Sequence, residues 1–183
     1  MAARIFTVPN QITFLRLGFL PLFIILILYD QYRWALAILI LSALTDTMDG
    51  LLARWLDQRS ALGAYLDPIA DKLLLSSSFF ILALKGKIQW WLTILVLSRD
   101  VLILTAAAVI LLVAGYRPFP PSIYGKLTTT VQILLVFVVV FFAVFHWPFL
   151  EQVRLVFLIL VAGFTVLSAF HYSVVIARRL HGS

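Results

Sequence analysis

The 183-residue sequence is 63% hydrophobic and only 12% charged, whereas a soluble domain carries about 25% charged residues. This composition excludes an ordinary soluble domain and predicts an integral membrane protein. The net charge of +6 does not indicate nucleic-acid binding, because the longest basic run is the pair Arg178-Arg179 and no patch interleaves aromatic and basic residues. The absence of cysteine excludes disulfides and thiolate chemistry.

Six apolar stretches follow one another along the chain, at residues 12–29, 34–55, 62–84, 89–114, 125–146 and 150–177. Each stretch is long enough to cross about 30 Å of hydrocarbon as a helix. Only helices and closed barrels can span lipid, and unbroken apolar runs of this length indicate helices. The sequence therefore predicts an all-α bundle of about six transmembrane helices, forming one membrane-embedded domain over residues 1–183.

Lysine and arginine are unevenly distributed between the two predicted sides of the membrane. One side holds seven of them, Arg4, Arg54, Arg59, Arg117, Lys126, Arg178 and Arg179. The other side holds four, Arg33, Lys85, Lys87 and Arg154. The positive-inside rule then predicts that both termini and the connections 55–61 and 115–124 face the cytoplasm.

Four of the eight acidic residues lie in the second and third apolar stretches: Asp46, Asp49, Asp67 and Asp71. An ionisable group in a membrane helix is costly and marks a functional site by default. The first two are three residues apart and the last two are four apart, so each pair shares one helical face. A short connection lets the two helices pack antiparallel, with the four carboxylates facing one another.

Such a cluster predicts a divalent metal site. Clustered carboxylates repel one another and raise the pKa of some members, and a cation removes this penalty. Hard oxygen ligands suit Mg²⁺ or Mn²⁺, and the cluster contains no histidine or cysteine that would favour zinc. The alternative is a solvated helix end. Gly50 and Gly63 let a flat or phosphorylated ligand approach the backbone, or serve only as packing contacts.

The order of these residues is Asp46-x-x-Asp49-Gly50-x-x-Ala53-Arg54, then eight residues, then Gly63-x-x-x-Asp67-x-x-x-Asp71. It resembles the signature of the CDP-alcohol phosphotransferase family, with every signature position filled. The resemblance extends from Pro9 to Gln132. It implies the six-helix fold of that family, usually a homodimer, with the active site open to the cytoplasmic side of what we expect to be a bacterial membrane.

The resemblance also implies roles for the signature residues. Asp46, Asp49 and Asp67 would hold two ions of Mg²⁺ or Mn²⁺, and Asp71 would share in the metal site and act as general base. The CDP group would be bound by Asp49, Gly50, Ala53, Arg54 and Gly63. The enzyme would transfer a phosphatidyl group from CDP-diacylglycerol to an alcohol and release CMP. Pro68 predicts either a kink or the first turn of a helix.

Three cationic residues outside the signature, Arg16, Arg99 and Lys126, are candidates for binding the phosphate of the alcohol acceptor, because a buried guanidinium suits phosphate. Their alternative roles are snorkelling to the membrane surface and, for Arg99, a local ion pair with Asp100. The pair Gly125-Lys126 resembles both phosphatidylglycerophosphate synthases and CMP-forming cardiolipin synthases.

Two features bear on the choice of acceptor. The phosphatidylglycerophosphate synthases usually carry a second lysine where this chain has Thr128, and the run Ser98-Arg99-Asp100-Val101 is more similar to the cardiolipin synthases. The loss of one cation suits an acceptor with a phosphodiester. We therefore expect phosphatidylglycerol as acceptor, which yields cardiolipin, with glycerol 3-phosphate as the alternative.

A small membrane transporter is the alternative from another class, because transporters also carry intramembrane acids. Their binding helices tend to be interrupted in matching halves, with the site near the midplane. This sequence has no such halves, and its acids cluster at one predicted membrane edge. The sequence therefore favours an enzyme.

Overall fold

The computed structural model describes the backbone of residues 8–55, 61–114 and 123–181, and within them the side chains of residues 15, 18–45, 72–105, 123 and 125–172. These described residues form six α-helices and no strand: α1 Val8–Leu28, α2 Tyr32–Trp55, α3 Ala61–Leu84, α4 Trp90–Ala114, α5 Ile123–Phe145 and α6 Pro148–His181. Each helix coincides with one of the apolar stretches, which confirms the all-α prediction. Pro68 lies inside α3, so of its two predicted roles the first turn of a helix is wrong, and a kink stays a prediction.

The chain divides into two compact units. Unit 1 comprises Met1–Lys87 and Ala143–Phe145, and unit 2 comprises Ile88–Phe142 and His146–Ser183. In unit 1, α1 packs against both α2 and α3, and its apolar core includes Phe23, Ile27, Phe79 and Leu82. In unit 2, α4 packs against α6, and its core includes Leu92, Val96, Leu135 and Val161.

Three of the described helices end on a residue in the left-handed conformation: Asp30 (φ 59°), Gly86 (φ 66°) and His146 (φ 53°). After α1 and α3, this residue donates its amide to the carbonyl three residues earlier, and the next amide donates to the carbonyl five residues earlier, at 2.8–3.1 Å. This is the Schellman pattern, which satisfies carbonyls at a helix C-terminus. After α5, a single bond from the His146 amide to the Phe142 carbonyl (2.9 Å) does the same.

We expect Gly86→Ala to lower the free energy of unfolding by about 1–2 kcal/mol, because a Cβ is strained at positive φ. No atom lies within 4 Å of the position that the new methyl group would occupy, so the effect would come from the backbone alone. Gly18→Ala is the matched control, since Gly18 lies inside α1 with equal space and alanine favours a helix. Chemical unfolding in detergent micelles measures both. Equal effects of the two substitutions would contradict this account of the turn.

The connections after α1 and α3 are joined by an ion pair in unit 1. Lys85 Nζ lies 2.7 Å from Asp30 Oδ1 and also donates to the Leu28 carbonyl at 3.3 Å. The Tyr32 hydroxyl donates to Asp30 Oδ1 at 3.0 Å. The bond from Lys85, followed by that from Tyr32, holds the pKa of the Asp30 carboxyl below its ordinary value. The two connections therefore lie at the same end of unit 1, as helices that cross alternately would place them.

Two segments among the described residues, Gly125–Phe145 and Pro148–Tyr172, are long and apolar enough to cross a membrane. Large apolar side chains on α4 and α6 face outward, including Ile94 (61% exposed), Ile159 (73%) and Phe170 (70%). Large apolar side chains that face outward in this way favour a membrane or partner contact, because large exposed apolar patches are rare on soluble monomers. Together with the composition, these helices indicate a membrane protein.

Candidate functional site

The predicted metal and CDP sites fall on two consecutive helices of unit 1. Their positions are Asp46, Asp49, Gly50, Ala53 and Arg54 on α2, and Gly63, Asp67 and Asp71 on α3. The backbone is helical through both groups, so positions 46 and 49, and likewise 67 and 71, are separated by about one turn. Both helices pack against α1, so the two helices that contain the four aspartates belong to one compact unit.

The side chains of these eight positions lie outside the described residues, so metal coordination stays a prediction. The donor set itself fits the predicted ions. Four carboxylates supply only hard oxygen ligands, the type that Mg²⁺ and Mn²⁺ take in proteins.

The three predicted acceptor-binding cations have different surroundings. Arg16 lies on α1, and its side chain is outside the described part of the chain. Lys126 is exposed near the start of α5, where its carbonyl accepts a hydrogen bond from Thr130 Oγ1 at 3.0 Å. Arg99 is only 5% exposed. Of the two cations with described side chains, Lys126 is thus the accessible one and Arg99 the desolvated one.

Arg99 makes the local ion pair that its sequence context left open. Its Nη1 donates to Asp100 Oδ1 at 2.7 Å, and its Nη2 donates to Ser168 Oγ at 2.8 Å. Asp100 is also only 5% exposed, so the two charges offset each other away from water. Binding of phosphate by Arg99 stays a prediction.

Thr128 lies in a contact between two helices. It is fully buried, and its Oγ1 donates to the Phe164 carbonyl of α6 at 3.1 Å. A lysine at this position would carry an ammonium group into that contact, where burial disfavours charge. The packing accounts for threonine at position 128 without reference to the acceptor, so the acceptor preference that the sequence analysis drew from it needs separate support.

Unit 2 contains a group of buried polar side chains, of which sequence reasoning missed three: Gln132, Thr165 and Ser168. Its members are at most 5% exposed: Arg99, Asp100, Thr128, Gln132, Thr165 and Ser168. They come from α4, α5 and α6. The available signal was the spacing of Thr128 and Gln132, and of Thr165 and Ser168, at one helical turn inside apolar runs.

Comparison with known proteins identifies similar chains over most of this sequence. The family model described as CDP-alcohol phosphatidyltransferase matches residues 6–176. The CMP-forming cardiolipin synthase of Homo sapiens is 35% identical over 150 residues, covering 71% of this chain and 48% of that protein. The CMP-forming cardiolipin synthase of Streptomyces coelicolor is 38% identical over 132 residues, covering 69% and 61%.

A probable phosphatidylglycerophosphate synthase of Mycobacterium tuberculosis is also similar. It is 38% identical over 136 residues, covering 71% of this chain and 64% of that protein. This chain therefore spans between about half and two thirds of the length of these curated relatives. Relatives with two different names, cardiolipin synthase and phosphatidylglycerophosphate synthase, reach the same level of identity.

Proposed function

Because the chain belongs to the CDP-alcohol phosphatidyltransferase family, we propose that it transfers a phosphatidyl group from CDP-diacylglycerol to a glycerol-based alcohol and releases CMP. The observation that carries this proposal is the complete carboxylate signature on α2 and α3. We infer phosphatidylglycerol as the acceptor, and so cardiolipin as the product, from the relatives named cardiolipin synthase and from the run Ser98-Arg99-Asp100-Val101. Glycerol 3-phosphate is the second candidate, because a relative named for phosphatidylglycerophosphate synthesis is equally similar.

In the proposed reaction, Asp71 takes the proton from the acceptor hydroxyl as general base. The hydroxyl oxygen then forms a bond to the phosphorus that carries diacylglycerol, and the bond from this phosphorus to the CMP oxygen breaks, so that CMP leaves with the electron pair. As the family resemblance implies, Gly50, Ala53 and Gly63 would line the cytidine pocket, and Arg54 would lie near the diphosphate.

The same carboxylates would hold the metal. Two ions of Mg²⁺ or Mn²⁺ would be bound by Asp46, Asp49 and Asp67 with Asp71. When bound, they neutralise the charge of the diphosphate and improve CMP as a leaving group. Both ions can be bound by these four carboxylates only if the carboxylates lie close together. The packing of both α2 and α3 against α1 supports this arrangement.

The proposal includes the membrane arrangement. The six helices of 21 to 34 residues cross a bacterial cytoplasmic membrane as one domain over residues 1–183, and the chain forms a homodimer. The active site faces the cytoplasm. The distribution of lysine and arginine predicts that the connection between α2 and α3 lies on that side. The ion pair between Asp30 and Lys85 joins the connections after α1 and α3. This supports helices that cross the membrane in alternating directions.

The direct test measures CMP release by the purified chain in lipid–detergent micelles. We expect release from CDP-diacylglycerol that depends on Mg²⁺ or Mn²⁺, is abolished by EDTA, and is faster with phosphatidylglycerol than with glycerol 3-phosphate. Thin-layer separation of the lipid products identifies the acceptor. Phosphatidylglycerophosphate as the sole product would establish the second candidate. Absence of CMP release with either acceptor would contradict the enzyme proposal and leave the transporter alternative.

We expect Asp46→Ala and Asp49→Ala each to lose activity together with its stimulation by divalent metal. The two positions share one face of α2 and would share an ion. The measurement is CMP release across a Mg²⁺ titration, with Asp30→Asn as control because Asp30 is an exposed carboxylate outside the signature. If both variants kept Mg²⁺ stimulation, the metal site would lie elsewhere.

A further inference from the structure

Three basic residues lie together at one end of unit 1. Arg33 is exposed in the first turn of α2, and Lys85 and Lys87 follow the end of α3. The ion pair between Lys85 Nζ and Asp30 Oδ1 (2.7 Å) joins the two connections. In these connections and the first turn of α2, all of which the structure describes, Asp30 is the one acidic residue. The four residues, which we name the cationic end, therefore carry a net charge of +2.

Lys87 lies close to the same carboxylate. Its Nζ is 5.3 Å from the centroid of the Tyr32 ring, within the range of a cation–π contact, and the Tyr32 hydroxyl donates to Asp30 Oδ1 at 3.0 Å. After the hydrogen bonds from Lys85 and Tyr32, the charge of Lys87 helps to hold the pKa of the Asp30 carboxyl below its ordinary value. Two lysines therefore share one carboxylate, and positive charge remains in excess around it.

The side chains around the cationic end are those expected at a membrane–water boundary. Tyr29 is 76% exposed and Trp34 is 67% exposed, and such aromatic side chains gather at the level of the lipid head groups. Leu28 and Leu84, the last residues of α1 and α3, are also exposed, as apolar residues on the hydrocarbon side of that boundary would be. The basic groups therefore lie at the level of lipid phosphates.

The cationic end is remote from the carboxylate signature within unit 1. Arg33 and Asp46 are 13 residues apart on α2, and Asp71 and Leu84 are 13 residues apart on α3. Each separation corresponds to about 20 Å along the helix, or about two thirds of the hydrocarbon thickness. A lipid head group at the cationic end is therefore not the acceptor that reacts at the carboxylates.

The distribution of charge gives the cationic end a reason to bind an anion. The positive-inside rule disfavours lysine and arginine on the non-cytoplasmic side, and three of the four basic residues assigned to that side lie in the cationic end. The fourth, Arg154, lies in unit 2 and is paired with Glu151 at 2.5 Å. The excess of positive charge on that side is thus concentrated at one place.

We propose that the cationic end binds the phosphate of an anionic phospholipid, at a site other than the one that holds the substrates. Arginine and lysine donate to phosphate oxygens, and the net positive charge favours an anionic lipid over a zwitterionic one. This inference rests on the membrane arrangement in the proposed function, which puts the cationic end and the active site on opposite sides of the membrane.

The test measures which lipid lies beside Trp34 in vesicles that contain the purified chain. Phosphatidylmethanol is the anionic probe, because it carries one negative charge and no hydroxyl and so cannot act as acceptor. Brominated acyl chains quench tryptophan on contact, and the signal of Trp34 is the difference between the wild type and Trp34→Phe. With either phosphatidylmethanol or phosphatidylcholine brominated in a mixture of the two, quenching gives their relative binding. We expect phosphatidylmethanol to bind about 5- to 30-fold more tightly, since each nearby cation contributes about fivefold.

The variants locate the preference. Arg33→Gln combined with Lys87→Gln should lower it to about 1- to 2-fold, whereas Arg33→Lys and Lys87→Arg keep the charge and should keep the preference. Lys72→Gln is the matched control, because Lys72 lies near the other end of α3, farther from Lys85 than the Debye length of about 10 Å. It should leave the preference beside Trp34 within about twofold of the wild type. CMP release by the double variant at the wild-type rate would show that it is folded.

Three outcomes would overturn the lipid site. The first is equal binding of the two lipids beside Trp34 in the wild type. The second is a loss in Lys72→Gln as large as in the double variant, which would mean a general attraction between the chain and anionic lipid. The third is displacement of phosphatidylmethanol by dimethyl phosphate, the same anion without acyl chains, which would assign the site to a soluble phosphate ester. Failure of the proposed function is distinguishable, because the wild type would then release no CMP, whereas the quenching measurement requires no turnover.

Discussion

Asp71→Asn is expected to lower turnover by about 100- to 10,000-fold, the effect typical of losing a general base. Asparagine is close to aspartate in shape but cannot accept the proton of the acceptor hydroxyl. CDP-diacylglycerol binding should be largely retained, because the signature residues predicted to hold CDP are unchanged. The effect should therefore appear in kcat, with little change in the KM for CDP-diacylglycerol.

The measurement combines CMP release with binding of CDP-diacylglycerol, read as a ligand-induced rise in the unfolding temperature. Asp30→Asn is the matched control, since it makes the same change at an exposed position outside the signature. A variant that retained more than about a tenth of the wild-type rate would exclude Asp71 as the base. A variant that lost both turnover and nucleotide binding would assign Asp71 to the metal site alone.

Asp100→Ala is expected to lower the free energy of unfolding by about 3–5 kcal/mol, because it leaves the Arg99 guanidinium buried without its counter-charge. Both residues are 5% exposed, and the pair is joined at 2.7 Å. Removing both charges, as in Arg99→Met with Asp100→Leu, should restore most of the loss, since apolar replacements avoid the desolvation of an unpaired ion.

Chemical unfolding in mixed micelles measures these changes. The control is Glu151→Ala, which breaks the ion pair between Glu151 and Arg154 near the start of α6. The side chains of that pair are 41% and 18% exposed, so its loss should lower the free energy of unfolding by at most about 1 kcal/mol. If Asp100→Ala lowered the free energy of unfolding as little as this control, the ion pair between Arg99 and Asp100 would not be desolvated in the membrane-embedded chain.

The sequence by itself determined the helical architecture and the place of the carboxylate signature. A chain in lipid must satisfy every backbone hydrogen bond internally, so each long apolar stretch has one available conformation. That constraint is local, and the bounds of α1 to α6 accordingly follow the apolar stretches within a few residues. The spacing of Asp46 and Asp49, and of Asp67 and Asp71, then follows from helix geometry alone.

Only the tertiary structure decided which polar residues meet. Ser168 binds Arg99 from 69 positions away, and Thr128 binds the Phe164 carbonyl from 36 positions away. Such contacts depend on how each helix is rotated about its axis and which neighbour it packs against. A helix that is apolar on all sides does not specify that rotation in its sequence pattern. In membranes the rotation is decided by close packing and by hydrogen bonds between helices, which are properties of the assembled bundle.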